Sequence, residues 1–169
     1  MWATDAELHA QGLWTCWVPA GVALPSGCPD WWASSDGQGH RGYAPASADR
    51  PGWEWLQPVL CLPGASAGAL AVFHYVVETD VPAAADADFN AWYNQEHLPG
   101  LAAVPGTVQA RRYTRPTGGP RYVAMYDLVT PMAMESAAWL AVRHTPWSGR
   151  VRPLFQNTRR TLFERAAPT

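Results

Sequence analysis

The chain has 169 residues, 48% of them apolar and 15% charged, and a formal net charge of −2. That apolar share excludes a disordered chain and allows a buried core, while no apolar run reaches the ~18–20 residues a membrane span needs. Mild acidity without clustered cations argues against a nucleic-acid partner. The first ten residues lack the basic and apolar stretches of a secretory signal, so a cytoplasmic location is expected.

Composition shifts near residue 64. Residues 1–69 hold seven of the ten Trp and all three Cys, with two Arg against six acids; residues 70–169 carry ten Arg against eight acids. A boundary therefore falls between an N-terminal extension (1–69) and a second domain (70–169), at the small-residue stretch Leu62–Gly68. Lysine is absent, which rules out Schiff-base chemistry through that side chain. So many tryptophans imply an aromatic-lined cavity or extensive burial against a partner. Cys16, Cys28 and Cys61 form no CxxC pair, and free thiols are expected over a Cys16–Cys28 bridge.

In chain order, Gly12–Val18 alternates as a strand ended by Pro19. Residues 25–52 read as loop with one helical turn near Trp31-Trp32, and Trp53–Cys61 as a strand that Pro58 forces to an edge or a bulge. Leu70–Val77 is a strand, Pro82–Leu98 a helix stopped by Pro99-Gly100, and Thr107–Thr114 and Arg121–Val129 are further strands. Met132–Arg143 is a second helix, and Asn157–Glu164 a last strand. The order βαββαβ predicts an α+β, ferredoxin-like fold. In the strand Arg121–Val129, Tyr122, Ala124, Tyr126 and Leu128 share one face and Val123 and Met125 the other. Helices cover only one face of such a sheet, so the other must meet a second sheet, from a partner chain or from the N-terminal segment.

Phe89, Trp92, Tyr93, Glu96 and His97 fall on one helical face, an aromatic stripe that ends in an acid and an imidazole. Those two polar groups could satisfy backbone groups near the helix end, or they could carry chemistry, since imidazole titrates near working pH. His74 reads as a satisfied core or barrel histidine. Arg111 and Arg112 read as a strand pair with one pointing outward, although one could hold a substrate carboxylate. No three converging ligands suggest a metal site, and no nucleotide-binding or nucleophile-elbow motif occurs.

Residues 70–165 resemble the dimeric α/β-barrel superfamily, close to its EthD-like branch. The strings that carry the likeness are Asp88–Pro99, Val104–Tyr113, Pro120–Leu128 and Thr145–Arg150. The resemblance implies two chains pairing their sheets into a barrel, hence a homodimer, with a small-molecule pocket between each sheet and its helices. It also implies an acid/base cyclase, isomerase or lyase for a carbonyl-bearing or polycyclic aromatic metabolite. A cofactor-free oxygenase and a non-catalytic binding or accessory module are the alternatives. His97, with Glu96 and Tyr93, is the expected catalytic group. Trp92, Phe89, Arg111, Tyr113 and Tyr126 are expected around the substrate, with His144 and Trp147 beyond the second helix. The second His of a His-Pro-x-His string found in some relatives is Trp147 here. No organic cofactor is expected, with haem on His97 or His144 as the alternative. Leu13–Val18 could open a decayed repeat, although the 57 residues from Leu13 to Leu70 are too few for a whole copy.

Overall fold

Both faces of the strand Tyr122–Leu128 are buried, and each by a different part of the molecule. Val123 and Met125 join a core with Leu13, Trp32, Tyr43 and Leu56 from the N-terminal segment. Tyr122, Ala124, Tyr126 and Leu128 join a second core with the helical residues Phe89, Trp92, Leu98 and Trp139. This computed structural model describes residues 11–28, 30–48 and 50–166; the first ten residues, read above for a signal, lie outside that set.

Eight antiparallel strands form a closed barrel: β1 (Leu13–Pro19), β2 (Asp30–Ser34), β3 (Gly39–Pro45), β4 (Glu54–Pro63), β5 (Phe73–Asp80), β6 (Thr107–Thr114), β7 (Tyr122–Leu128) and β8 (Gln156–Arg165). Their order is β1-β3-β2-β8-β5-β7-β6-β4, and β4 pairs back onto β1. The expected ferredoxin-like βαββαβ fold, completed into a barrel by a second chain, is corrected. The molecule is a closed eight-stranded β-barrel with few helices, and the sheet that covers the inner face comes from its own residues 13–63. The motive for a homodimer is thereby removed, because among the described residues the inner face of the sheet is already covered within one chain.

Read from β4, the first four strands run β4-β1-β3-β2 and the last four β8-β5-β7-β6. Each half thus has the order fourth, first, third, second. Helices join β5 to β6 and β7 to β8, whereas the equivalent connections of the first half contain no helix among the described residues. That is how four strands fit into the short N-terminal segment. The helical turn expected at Trp31-Trp32 is corrected as well: these residues lie in β2, which forms a hairpin with β3. Tryptophan rings cover the outer face of this half. Trp14 packs edge-on against Trp55 at 5.1 Å, and Trp31 lies over Gly42, where a Cβ would strike its ring.

The barrel interior is apolar at mid-height and polar towards both ends. On one side the Tyr43 hydroxyl donates to His74 Nε2 (2.9 Å), His74 Nδ1 donates to Asp127 (2.6 Å), and Arg111 donates to the other Asp127 oxygen (2.5 Å). On the other, Glu78 accepts from Arg41 (3.2 Å) and Arg115 (2.6 Å), and Arg115 also meets Glu54 (3.0 Å). His74 is therefore a satisfied barrel histidine. Arg112, expected as one of a pair with a member facing solvent, is buried beneath the helices, so neither Arg111 nor Arg112 points outward.

The helical layer consists of α1 (Asp86–Trp92), a π-turn (Tyr93–His97), α2 (Leu98–Ala102), α3 (Ala137–Arg143) and α4 (Pro146–Val151). Ser136 caps α3 by accepting from Trp139 N (3.2 Å), and Thr145 caps α4 by accepting from Ser148 N (3.1 Å). Pro99-Gly100 does not stop the first helix, which continues to Ala102. The widened π-turn, closed by Leu98 N–H on the Tyr93 carbonyl, admits a proline whose ring would otherwise press on the preceding turn. No helix among the described residues is long and apolar enough to cross a membrane.

The segment after β4 is pinned, not a loose linker. Gly64 N–H donates to Val108 O, Ala65 to Ala102 O and Ser66 to Thr107 O, each within 2.9 Å. A Cβ on Gly64 would collide with the Thr107 carbonyl. Gly64→Ala should therefore destabilise by ~1–3 kcal/mol, whereas Gly149→Ala, in open space on α4, should stabilise by ~0.5–1 kcal/mol. Urea denaturation of the two variants checks both signs.

Candidate functional site

Behind β5 and β7, the helical layer leaves a cavity of about 30 Å³. Its walls are aromatic, from Tyr75, Trp92, Tyr93, Tyr126 and Trp139, and His97 reaches it from the π-turn. Such space holds about one or two water molecules. The β alternation explains two of these side chains: Tyr75 and Tyr126 are register partners that point towards the helices and stack at 6.2 Å.

The His97 ring is held by aromatic contact. It stacks on Trp92 with centroids 4.2 Å apart and 23° between planes, and meets Tyr93 edge-on at 5.1 Å. Trp92 is itself fixed by donating to Ser148 Oγ (3.2 Å), which donates onward to the Val142 carbonyl (3.0 Å). His97 is 7% exposed, and its Nδ1 is buried with no hydrogen-bond partner. Burial, with the positive field of Arg152, Arg143 and Arg112, pushes its pKa down to about 3. At neutral pH the imidazole is uncharged and has a free nitrogen lone pair or N–H inside the protein. An unmet buried polar group of this kind costs ~1–3 kcal/mol, which points to an occupant.

Of the residues picked out in the sequence, the structure brings His97, Tyr93, Trp92 and Tyr126 to the cavity. The others go elsewhere. Glu96 accepts from the Thr145 hydroxyl, so it does not orient His97. Phe89 is fully buried in the core beside it. Arg111 and Tyr113 lie in the barrel interior. His144 is exposed at the end of α3, and Trp147 donates to Asp88 (3.0 Å), tying α4 to α1. The sequence reading missed Tyr75, Trp139, Arg143, Arg152 and Arg160. Tyr75 was legible as the residue alternating with His74 on its strand; the arginines come from three separate elements and carry no local signal.

A larger open cleft of about 560 Å³ lies at the β6–β7 hairpin beside Arg115 and Arg121. Its cations are already met by Glu54, Glu78 and Asp86, so it holds no comparable unbalanced chemistry. Among the described residues no group of three or more His, Cys, Asp and Glu side chains could hold a metal ion. The cavity at His97 is also far too small for a porphyrin as it stands.

The chain matches no protein-family model and no curated protein. Solved structures do resemble it. A major regulator of staphylococcal pathogenesis aligns over 92% of this chain and 99% of its own, with a TM-score of 0.65 and 8% identity. A "putative monooxygenase" from Lactobacillus acidophilus NCFM aligns over 96% and 80%, at 0.59 and 11%. An anthrone oxidase-like protein aligns over 95% and 94%, at 0.57 and 12%. None of these is named a cyclase or an isomerase, and that expectation has no support among them. At such identities the likeness shows the fold alone.

Proposed function

We propose that the chain is a small-molecule enzyme in which neutral His97 accepts a proton from an acidic carbon or phenol of a flat aromatic substrate. One observation carries this reading: a buried, unpartnered imidazole nitrogen in an aromatic-walled cavity. The arginine field that opposes a charged imidazolium favours the anion left on the substrate, so the same charges that weaken the base acidify its target. Dioxygen is the co-reactant we favour, since two of the neighbours are named for monooxygenase and anthrone oxidase chemistry. Electrons would pass from the substrate anion to dioxygen with no organic cofactor.

Oxygen uptake with hydroxylated polycyclic aromatics tests the proposal. His97→Ala should lower turnover by ~10²–10⁴-fold in protein whose circular dichroism is unchanged, and His97→Gln should do the same. Full turnover in either variant would sink the assignment.

A second reading is a non-catalytic binding or accessory module. It is favoured by the size of the cavity, too small for a polycyclic ring without movement of its walls, and by the neighbour described as a regulator. Saturable binding of an aromatic ligand without product formation or oxygen uptake would select it.

A further inference from the structure

Three arginines converge on the His97 cavity from three elements. Arg143 ends α3, Arg152 follows α4, and Arg160 lies on β8. Arg152 Nη1 donates to the Arg143 main-chain carbonyl (3.3 Å), which holds the two side by side. Among the described residues none of the three forms an ion pair, whereas Arg41, Arg111, Arg115, Arg121, Arg159 and Arg165 each have a carboxylate. Burial, then the charges of Arg143 and Arg160, lower the pKa of Arg152. Like charges gathered without a counter-charge destabilise a fold, so their place beside the unpartnered His97 imidazole calls for an anion.

We propose that the ligand of the His97 cavity carries a carboxylate, seated by Arg143, Arg152 and Arg160 at the rim, with its aromatic body turned towards Trp139 and His97. This rests on the reading of the cavity as a small-molecule site and adds the chemical class of the ligand. Two features fit a carboxylate on a ring. Guanidinium forks match a planar two-oxygen anion, and the rings of Tyr75, Tyr126 and Trp139 offer flat apolar contact beside them. Arg143 and Arg152 are half-buried and Arg160 is exposed, so the anion is met at the mouth and the ring must part the wall to enter.

The probes are 2-naphthoate and its uncharged isostere 2-naphthamide, followed by calorimetry and by quenching of tryptophan fluorescence, since Trp92 and Trp139 line the cavity. The wild-type protein should bind naphthoate at least ~10-fold more tightly than naphthamide, and the difference should shrink in high salt. Arg143→Gln and Arg152→Gln should each lose most of that preference, weakening naphthoate several-fold more than naphthamide. Arg143→Gln should not lower Tm, because it relieves repulsion, whereas Arg152→Gln also gives up its bond to the Arg143 carbonyl. Equal affinity for the two probes, with both unaffected by Arg→Gln, overturns the anion proposal and leaves the cavity as a neutral-ligand site. Binding of neither probe overturns the carboxylate class and the aromatic-ligand reading together.

Discussion

Replacing Glu78 by alanine is expected to cost ~3–5 kcal/mol. Glu78 is 2% exposed and accepts from Arg41 and Arg115, which are nearly as buried. Burial alone would raise its pKa, but the two guanidiniums outweigh burial and hold the carboxyl below its ordinary value. Without it, Arg41 loses the carboxylate it pairs with among the described residues, while Arg115 keeps Glu54. Glu78→Gln keeps the shape and loses the charge, so it should fall between alanine and wild type. Urea midpoints read both variants. A loss below ~1 kcal/mol for alanine would mean that water reaches the arginines, and the buried-pair account would fail.

Acid unfolding should begin at the histidines. His74 and His97 are buried, and both have pKa values below that of a free imidazole, with burial the leading cause. The unfolded chain therefore binds more protons than the folded one as pH falls below ~6.5, and stability declines from there. For His97 the decline continues to about pH 3. Below ~4 the carboxylates add to it. Burial would raise Asp127, but Arg111 and His74 prevail and hold it low, so its contribution is present above the unfolded value and lost as pH drops towards the folded one. His97→Gln removes one of the two imidazoles and should flatten the slope between pH 6 and 4, because a buried neutral histidine takes up a proton on unfolding. An unchanged slope, measured by urea midpoints across that range, would show that His97 is protonated in the folded state.

Much of the helical half was legible because its period is strong. β5 to β8 and the helices between them form close to where alternation and the i, i+3, i+4 pattern put them, and the two-sided apolar pattern at Tyr122–Leu128 correctly demanded a second sheet. The sequence could not choose which sheet, and the resemblance favoured a partner chain over the residues that do the work. β2 and β3 were lost because Asp30-Trp-Trp-Ala-Ser and Gly39-His-Arg-Gly-Tyr carry small and polar residues where a strand usually carries branched ones. The hint was present in Asp36-Gly37, a hairpin dipeptide between them. In the site, helical geometry placed Trp92, Tyr93 and His97 on one face. It could not foresee that the π-turn would leave Glu96 to Thr145, or that charge would be gathered from Arg143, Arg152 and Arg160.

A barrel built from two identical chains must repeat every feature about its axis. Here the halves share a strand order but not a sequence, and they have diverged in duty. The helical half hosts the cavity, and the other wears Trp14, Trp31 and Trp55 where its counterpart has helices. The stoichiometry should accordingly be one ligand per barrel. Titrations should follow a simple hyperbola, since the arginines, the imidazole and the aromatic walls of the His97 cavity all come from the helical half and the described residues of the other half do not repeat them.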